Sequence, residues 1–365
     1  MTFDDVLVII NGRNQRAVEN PNGKYPIYGS GGIMGYADSY ICEADTVVIG
    51  RKGSINNPIF VEEPFWNVDT AFGLAAKREI LLPRYLYYFC RNFDFERLNK
   101  AVTIPSLTKS DLLKIEITLP TLEIQEDVVN KLRKVERIIQ ARKQQLQKLD
   151  ELVKARFVEL FGELDKNPYG WKLSSLGALI ASCEAGWSGT GTQRKKQDGE
   201  VAVLKVSAVT KGYFIPSECK VLDNQSNIKK YIYPQTGDLL FSRANTREMV
   251  GATVVITEDF PEHILPDKLW KIRFVEAANV WYMKYALSSK PIRSIFSSIS
   301  TGTSGSMYNV SMEKFKSIEI PLPPLNLQNQ FAAFVTQTDK SKAVMQKALA
   351  EAQLLFDSLM QKYFG

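Results

Sequence analysis

A single histidine, His263, occurs in 365 residues. A Ser-His-Asp triad or a histidine-bound zinc would depend wholly on that one imidazole, so His263 reads as a surface residue. Cysteine is also scarce. Cys42, Cys90, Cys183 and Cys219 form no C-x-x-C pair, which leaves them as buried or incidental thiols of a reducing cytoplasm. No G-x-x-x-x-G-K-[ST] stretch is present for nucleotide hydrolysis. Asn57-Pro58-Ile59-Phe60 lacks the second proline of the adenine-methyltransferase tetrad, and no glycine-rich cofactor loop precedes it; it reads as a turn. No uninterrupted run of 18 apolar residues exists, so no helix is expected to span a membrane. The segment Met1–Asp5 lacks the basic and apolar regions of a signal peptide. Nothing points to catalytic residues, a metal site or a cofactor of the chain's own.

Charge of either sign is not concentrated. The formal net charge is +6, from 46 Lys and Arg against 40 Asp and Glu, and residues 1–121 carry 13 basic against 14 acidic side chains. A strongly electrostatic DNA binder shows a denser basic footprint. At 45% apolar residues and this length, two or three globular domains are expected.

What the sequence does have is a repeat. An offset of 203 residues carries Leu122–Gly162 onto Leu325–Gly365 without a gap. The match begins upstream, where Ile115-Glu116-Ile117 returns as Ile318-Glu319-Ile320, and it continues through Gln125/Gln328, Leu146/Leu349 and Leu152/Leu355. Each copy predicts one long helix. Neither Leu122–Phe161 nor Leu325–Phe364 contains Gly or Pro, prolines stand just ahead, and Gly162 and Gly365 follow as C-terminal caps. In the first copy Val128, Leu132, Val135, Ile139, Leu146, Leu149, Val153 and Leu160 fall on the four–three steps of a heptad seam. The seam of the second runs through Phe331, Val335, Thr338, Met345, Leu349, Ala352 and Phe356. Arg142 and Lys342 each occupy a seam position, and two readings are open: polar residues that fix register, or long side chains snorkelling out of a loose seam. At 1.5 Å per residue each helix is roughly 55–60 Å long.

The domain boundaries that follow are 1–121, helix 122–162, 163–322, and helix 323–365. The first domain reads as mostly β, with turn chemistry over Tyr25–Gly32, a buried strand at Thr46–Gly50, and a helix at Leu82–Asn92 whose aromatics belong to the core. The glycines of Tyr25–Gly32 lack phosphate-loop spacing. In the second domain Val201–Val209 alternates like a strand, Gly237-Asp238 turns into a strand at Leu239–Phe241, and another strand leads through Phe274. A glycine- and serine-rich loop at 302–306 precedes the repeated segment.

In both domains a buried strand runs directly into a loop of basic and amide side chains. The first loop offers Arg51, Lys52 and Asn56, the second Ser242, Arg243, Asn245 and Arg247. Arginine suits guanine edges, Asn suits adenine, and both meet phosphates; a solvated turn is the plainer alternative.

The order variable domain, long helix, variable domain, long helix resembles the specificity subunit of type I restriction–modification systems. So do the local strings Tyr25–Tyr36, Ile49–Ser54 and Val68–Phe72 of the first domain and Gly237–Glu248 and Leu265–Trp270 of the second. The most specific strings open the helices, at residues 115–120 and 318–325, each followed by Gln125 or Gln328. The resemblance spans essentially the whole chain. One departure is the lead-in at Trp171-Lys172-Leu173, which has no counterpart before Phe3, so the first domain is expected to be trimmed or to begin differently.

The resemblance implies an α+β fold: two globular target-recognition domains joined by two long antiparallel coiled-coil helices, as an internal pseudo-twofold repeat. It implies a non-catalytic subunit that reads a bipartite, gapped target in double-stranded DNA, one domain per half-site. Two modification subunits, which bind S-adenosylmethionine and methylate adenine, are the implied partners, with restriction subunits that use ATP and Mg to translocate and cut DNA. The rival from another class is a coiled-coil interaction scaffold that binds no DNA.

Overall fold

In the computed structural model the described residues are 1–99, 104–302 and 307–365. Positions 303–306 of the expected loop lie outside them. The chain divides into two compact units, Met1–Gln145 with Met345–Gly365, and Leu146–Val344. Each unit holds one globular domain and a section of both long helices.

The two helices run from Leu122 to Phe161 and from Leu325 to Phe364, as the absence of Gly and Pro requires. Gly162 closes the first in the left-handed conformation at φ +69°, its N–H bonded to Val158 O at 2.7 Å. Within the first unit Val128, Leu132, Val135 and Ile139 share a core with Ala352, Phe356 and Met360. Within the second, Val153, Phe157 and Phe161 share one with Phe331 and Val335. In both units residues advancing along one helix meet residues receding along the other, so the pairing is antiparallel. The polar seam residues are engaged across the seam. Lys342 Nζ lies 2.6 Å from Asp150 Oδ1 of the opposite helix, and Arg142 Nη1 contacts Met345 Sδ at 3.3 Å. These contacts favour the register-fixing reading over snorkelling.

The domains repeat the same plan. In the first, strands Leu7–Asn11, Ala71–Ala76, Thr46–Gly50 and Ile59–Val61 form an antiparallel sheet in that spatial order. In the second, Ile180–Ala185, Leu269–Phe274, Leu239–Ser242 and Thr253–Val255 do the same. A smaller sheet in each adds a short parallel strand, Trp66–Asn67 or His263–Ile264, to antiparallel strands, two in the first domain and three in the second, where Gly191–Thr192 is the additional one. A helix then packs on the main sheet: Pro83–Asn92, with proline in its first turn, and Val280–Ser288. The match also covers the short helices before the repeated segment, capped by Thr108 and Ser311, which accept from Asp111 N and Lys314 N.

Three expectations need correction. Tyr25–Gly29 is a strand, not turn chemistry, and only Ser30-Gly31 connect it to Gly32–Ala37. Pro26 fits because the parallel pairing with Trp66–Asn67 begins only at Ile27. Val201–Val209 is a strand only over Ala202–Leu204 and then coils into a 3-10 turn at Val206–Ala208. His263 is half-buried in a strand rather than at the surface, and burial lowers its pKa.

The cysteines are free thiols, as expected, and burial pushes Cys42 up to about 12 and Cys183 to about 11, far from a reactive thiolate. Among the described residues no cluster of metal-ligating side chains exists, and no helix is long and apolar enough to cross a membrane.

Candidate nucleic-acid interface

Antiparallel pairing brings three loops to one end of each main sheet. In the first domain the strand ending at Asn11 pairs with the strand starting at Ala71, which also pairs with the strand ending at Gly50. The loops Gly12-Arg13-Asn14, Arg51-Lys52 and Asp69-Thr70 therefore converge. Main-chain bonds tie them: Arg51 N and Lys52 N donate to Thr70 O at 2.8 and 3.2 Å, and Arg13 N donates to Asn67 O at 2.8 Å.

The second domain builds the same junction from Gly186-Trp187-Ser188, Arg243-Ala244-Asn245 and Asp267-Lys268. Arg243 N donates to Lys268 O at 3.1 Å and Trp187 N to Leu265 O at 2.8 Å. Arg51 and Arg243 even share a third bond, their carbonyls accepting from Leu107 N and Val310 N at 2.9 Å each. The glycine that opens the junction is required in both. A Cβ at Gly12 would lie 1.7 Å from Val68 O, and one at Gly186 1.9 Å from Leu265 O.

The side chains singled out in the sequence separate into two groups. Arg51 and Lys52 are exposed; among the described residues neither forms an ion pair, and Arg51 lies 5.7 Å from the Phe72 ring centroid. Arg243 is held ready: Nε donates to Asp267 O at 2.9 Å, and the guanidinium is 3.7 Å from the Asp267 carboxylate. Ser188 braces that carboxylate with its hydroxyl. Arg247 is exposed and faces the Tyr308 ring at 5.9 Å. Asn245 is half-exposed, with Oδ1 accepting from Thr246 N at 2.8 Å.

Two others are engaged within their own domain, Ser242 as a buried residue and Asn56 as an exposed one. Ser242 is fully buried and supports the loop from beneath. The Asn56 amide is spent within the domain: Nδ2 donates to Asp94 Oδ1 at 2.9 Å, while Oδ1 accepts from Phe95 N at 2.7 Å.

Sequence reasoning missed Arg13, Asn14 and Thr70 in the first junction, and Trp187, Ser188, Asp267 and Lys268 in the second. Part of the signal was present, since Asp69-Thr70 and Asp267-Lys268 lie inside Val68–Phe72 and Leu265–Trp270. The sheet order that brings them beside the arginines was not.

The model of the type I restriction modification DNA specificity domain matches residues 1–151 and 168–354. The chain belongs to this family. Two copies of the specificity domain thus coincide with the two halves of the structural repeat. A putative type I restriction enzyme specificity subunit of Haemophilus influenzae is 23% identical over 376 residues, covering 97% of this chain and 92% of the relative. The EcoKI specificity subunit of Escherichia coli K12 is 21% identical over 341 residues, 86% of this chain and 72% of the relative. The EcoEI specificity subunit of Escherichia coli is 25% identical over 198 residues, and this match spans only 33% of that relative. The S subunit of the M. genitalium type I system has the same fold, with a TM-score of 0.66 at 16% identity over 100% of this chain and 95% of that one. A chain from a structure of type I complex assembly gives 0.55 at 17% identity, over 100% and 96%.

Proposed function

We propose that this chain is the sequence-reading subunit of a cytoplasmic type I restriction–modification complex, and that each specificity domain reads one half of a gapped site in double-stranded DNA. The observation that carries this reading is the duplicated junction. The same main-chain bonds hold three loops together in both domains, while the side chains presented differ: Arg13, Arg51, Lys52 and Thr70 in one, Trp187, Arg243, Asn245 and Lys268 in the other. One frame with two sets of side chains fits two different half-sites, and so an asymmetric target. In this reading the two half-sites on the DNA are set about one duplex turn apart, roughly 34–36 Å.

The chain supplies no catalytic residue in this reading. Two modification subunits bring S-adenosylmethionine and methylate adenine, and restriction subunits bring ATP- and Mg-dependent translocation and cleavage. Leu152 and Leu355 support docking of such partners along the helices: they occupy the same repeat position, face outward from the seam, and are about half exposed. The mild net charge agrees with affinity shared among subunits.

The test is a methylome. The chain is expressed with its modification subunit in a host free of adenine methylation, and methylated adenines are mapped by single-molecule sequencing. A gapped, asymmetric motif methylated on both strands is expected. A purified complex that methylates nothing, or methylates without sequence preference, overturns the reading and leaves the scaffold alternative.

Within this reading Arg243→Ala is expected to weaken binding to the cognate site by about 1–3 kcal/mol, the worth of a bidentate arginine–guanine pair. Titration against duplexes varied one position at a time checks it. Relaxed preference at one position marks base reading, and a uniform loss on all sequences marks a phosphate contact.

A further inference from the structure

Both helices carry, as their fourth residue, a glutamine with no exposed surface: Gln125 and Gln328. Their bonds correspond atom for atom. Gln125 Oε1 accepts from Leu82 N at 2.9 Å, and Nε2 donates to Ile80 O at 2.9 Å and Pro120 O at 3.0 Å. Gln328 Oε1 accepts from Asn279 N at 2.8 Å, and Nε2 donates to Ala277 O at 3.0 Å and Pro323 O at 2.8 Å.

Leu82 and Asn279 are the N-caps of the domain helices Pro83–Asn92 and Val280–Ser288. One amide thus joins three things: the start of the domain helix, the prolyl segment leading into the long helix, and the long helix itself. A tyrosine in each domain helix adds a second tie, Tyr85 donating to Thr118 O and Tyr282 to Pro321 O.

A buried primary amide is expensive to place unless its hydrogen bonds are met, and here it could be replaced by an apolar side chain if only core filling were needed. Glutamine supplies directional bonds in both senses, and these fix an angle as well as a contact. No charged group takes part, so the joint is insensitive to pH and salt.

We infer that Gln125 and Gln328 are positioning residues that set the orientation of each domain on its own helix and thereby the gap length the protein accepts. This rests on the bipartite reading above. Neither glutamine touches the DNA-facing loops; they act through the helix starts they hold.

The experiment uses the full chain with its modification subunit and measures methylation of duplexes whose half-sites are cognate and whose gap is correct or one base pair shorter or longer. The variants are Gln125→Met and Gln328→Met, which keep side-chain length and remove all three bonds. Phe95→Leu, a core change at a residue that takes no part in the joint's hydrogen bonds, is the control matched for thermal stability. Loss of the joint lets each domain swing, which lowers the effective concentration at the correct gap and raises it elsewhere, so the wrong-gap rate is expected to climb from its parent level to within about threefold of the cognate rate. Base preference inside each half-site stays as in the parent, and Phe95→Leu keeps its gap discrimination.

Unchanged gap discrimination in folded Gln→Met variants overturns the inference. So does a matching relaxation in Phe95→Leu, or the failure of both Gln→Met variants to fold, which makes the joint a folding determinant only. A parent complex without any gapped motif instead overturns the bipartite reading itself.

Discussion

Alanine at Gly186 is expected to abolish discrimination at one half-site and leave the other readable. The added Cβ would sit 1.9 Å from Leu265 O and 2.3 Å from Leu265 C, both main-chain atoms that cannot swing away. The loop carrying Trp187 and Ser188 must move, breaking the Trp187 N to Leu265 O bond and removing the hydroxyl that steadies Asp267 beneath Arg243. Several side chains of the proposed reading loops shift together, so the penalty exceeds that of one lost base contact, about 1–3 kcal/mol or roughly 5- to 150-fold in rate. Gly12→Ala is the mirror experiment, with its Cβ 1.7 Å from Val68 O. Methylation of targets altered in one half-site at a time separates the two. Wild-type discrimination at both half-sites in folded Gly186→Ala protein would show that this junction does not read DNA.

The second large effect is on stability. Phe331 is fully buried near the start of the second long helix, where its ring lies 5.3 Å from Phe157, 5.5 Å from Phe161 and 5.2 Å from Tyr285. Phe331→Ala removes the ring that connects the two helices to the domain helix Val280–Ser288, and is expected to cost about 3–5 kcal/mol in denaturant unfolding. Its repeat counterpart in the first unit is Val128, so the corresponding Val128→Ala removes only two methyl groups and costs less. A loss below about 1 kcal/mol for Phe331→Ala would mean the cavity collapses freely and the ring cluster is not a packing centre.

Much of this organisation was legible in the sequence, for physical reasons that can be named. A forty-residue stretch without Gly or Pro, with apolar residues on four–three steps, has few alternatives to a paired helix. Arg142 and Lys342 stood out because they break that pattern. Strands such as Thr46–Gly50 announced themselves as short β-branched runs between turn residues.

The domains were harder. Outside the 203-residue register the repeat drifts, because loops differ in length: Gln125 and Gln328 differ by 203, whereas the N-caps they hold, Leu82 and Asn279, differ by 197. Val201–Val209 misled because alternation implies a two-faced strand, but Ala202, Val203 and Leu204 are all buried. The candidate loops were half visible. Arg51 and Arg243 could be chosen as cations following buried strands, but nothing local revealed that Asn56 would be consumed by Asp94 and Phe95. Nor did it reveal that Asp267, twenty-four residues away, would hold Arg243.

The loops of each junction are tied by peptide N–H and C=O groups, with Arg51 N on Thr70 O in one domain and Arg243 N on Lys268 O in the other. Every residue except proline supplies those atoms, whatever its side chain. The architecture that gathers the loops is therefore largely silent to substitution within them, glycines 12 and 186 apart. Under the proposed reading, selection can rewrite what the loops say without first having to rescue the fold, and each half can be rewritten independently of the other. A protein built this way is evolvable in its vocabulary and conservative in its grammar, which suits a defence system whose opponents change.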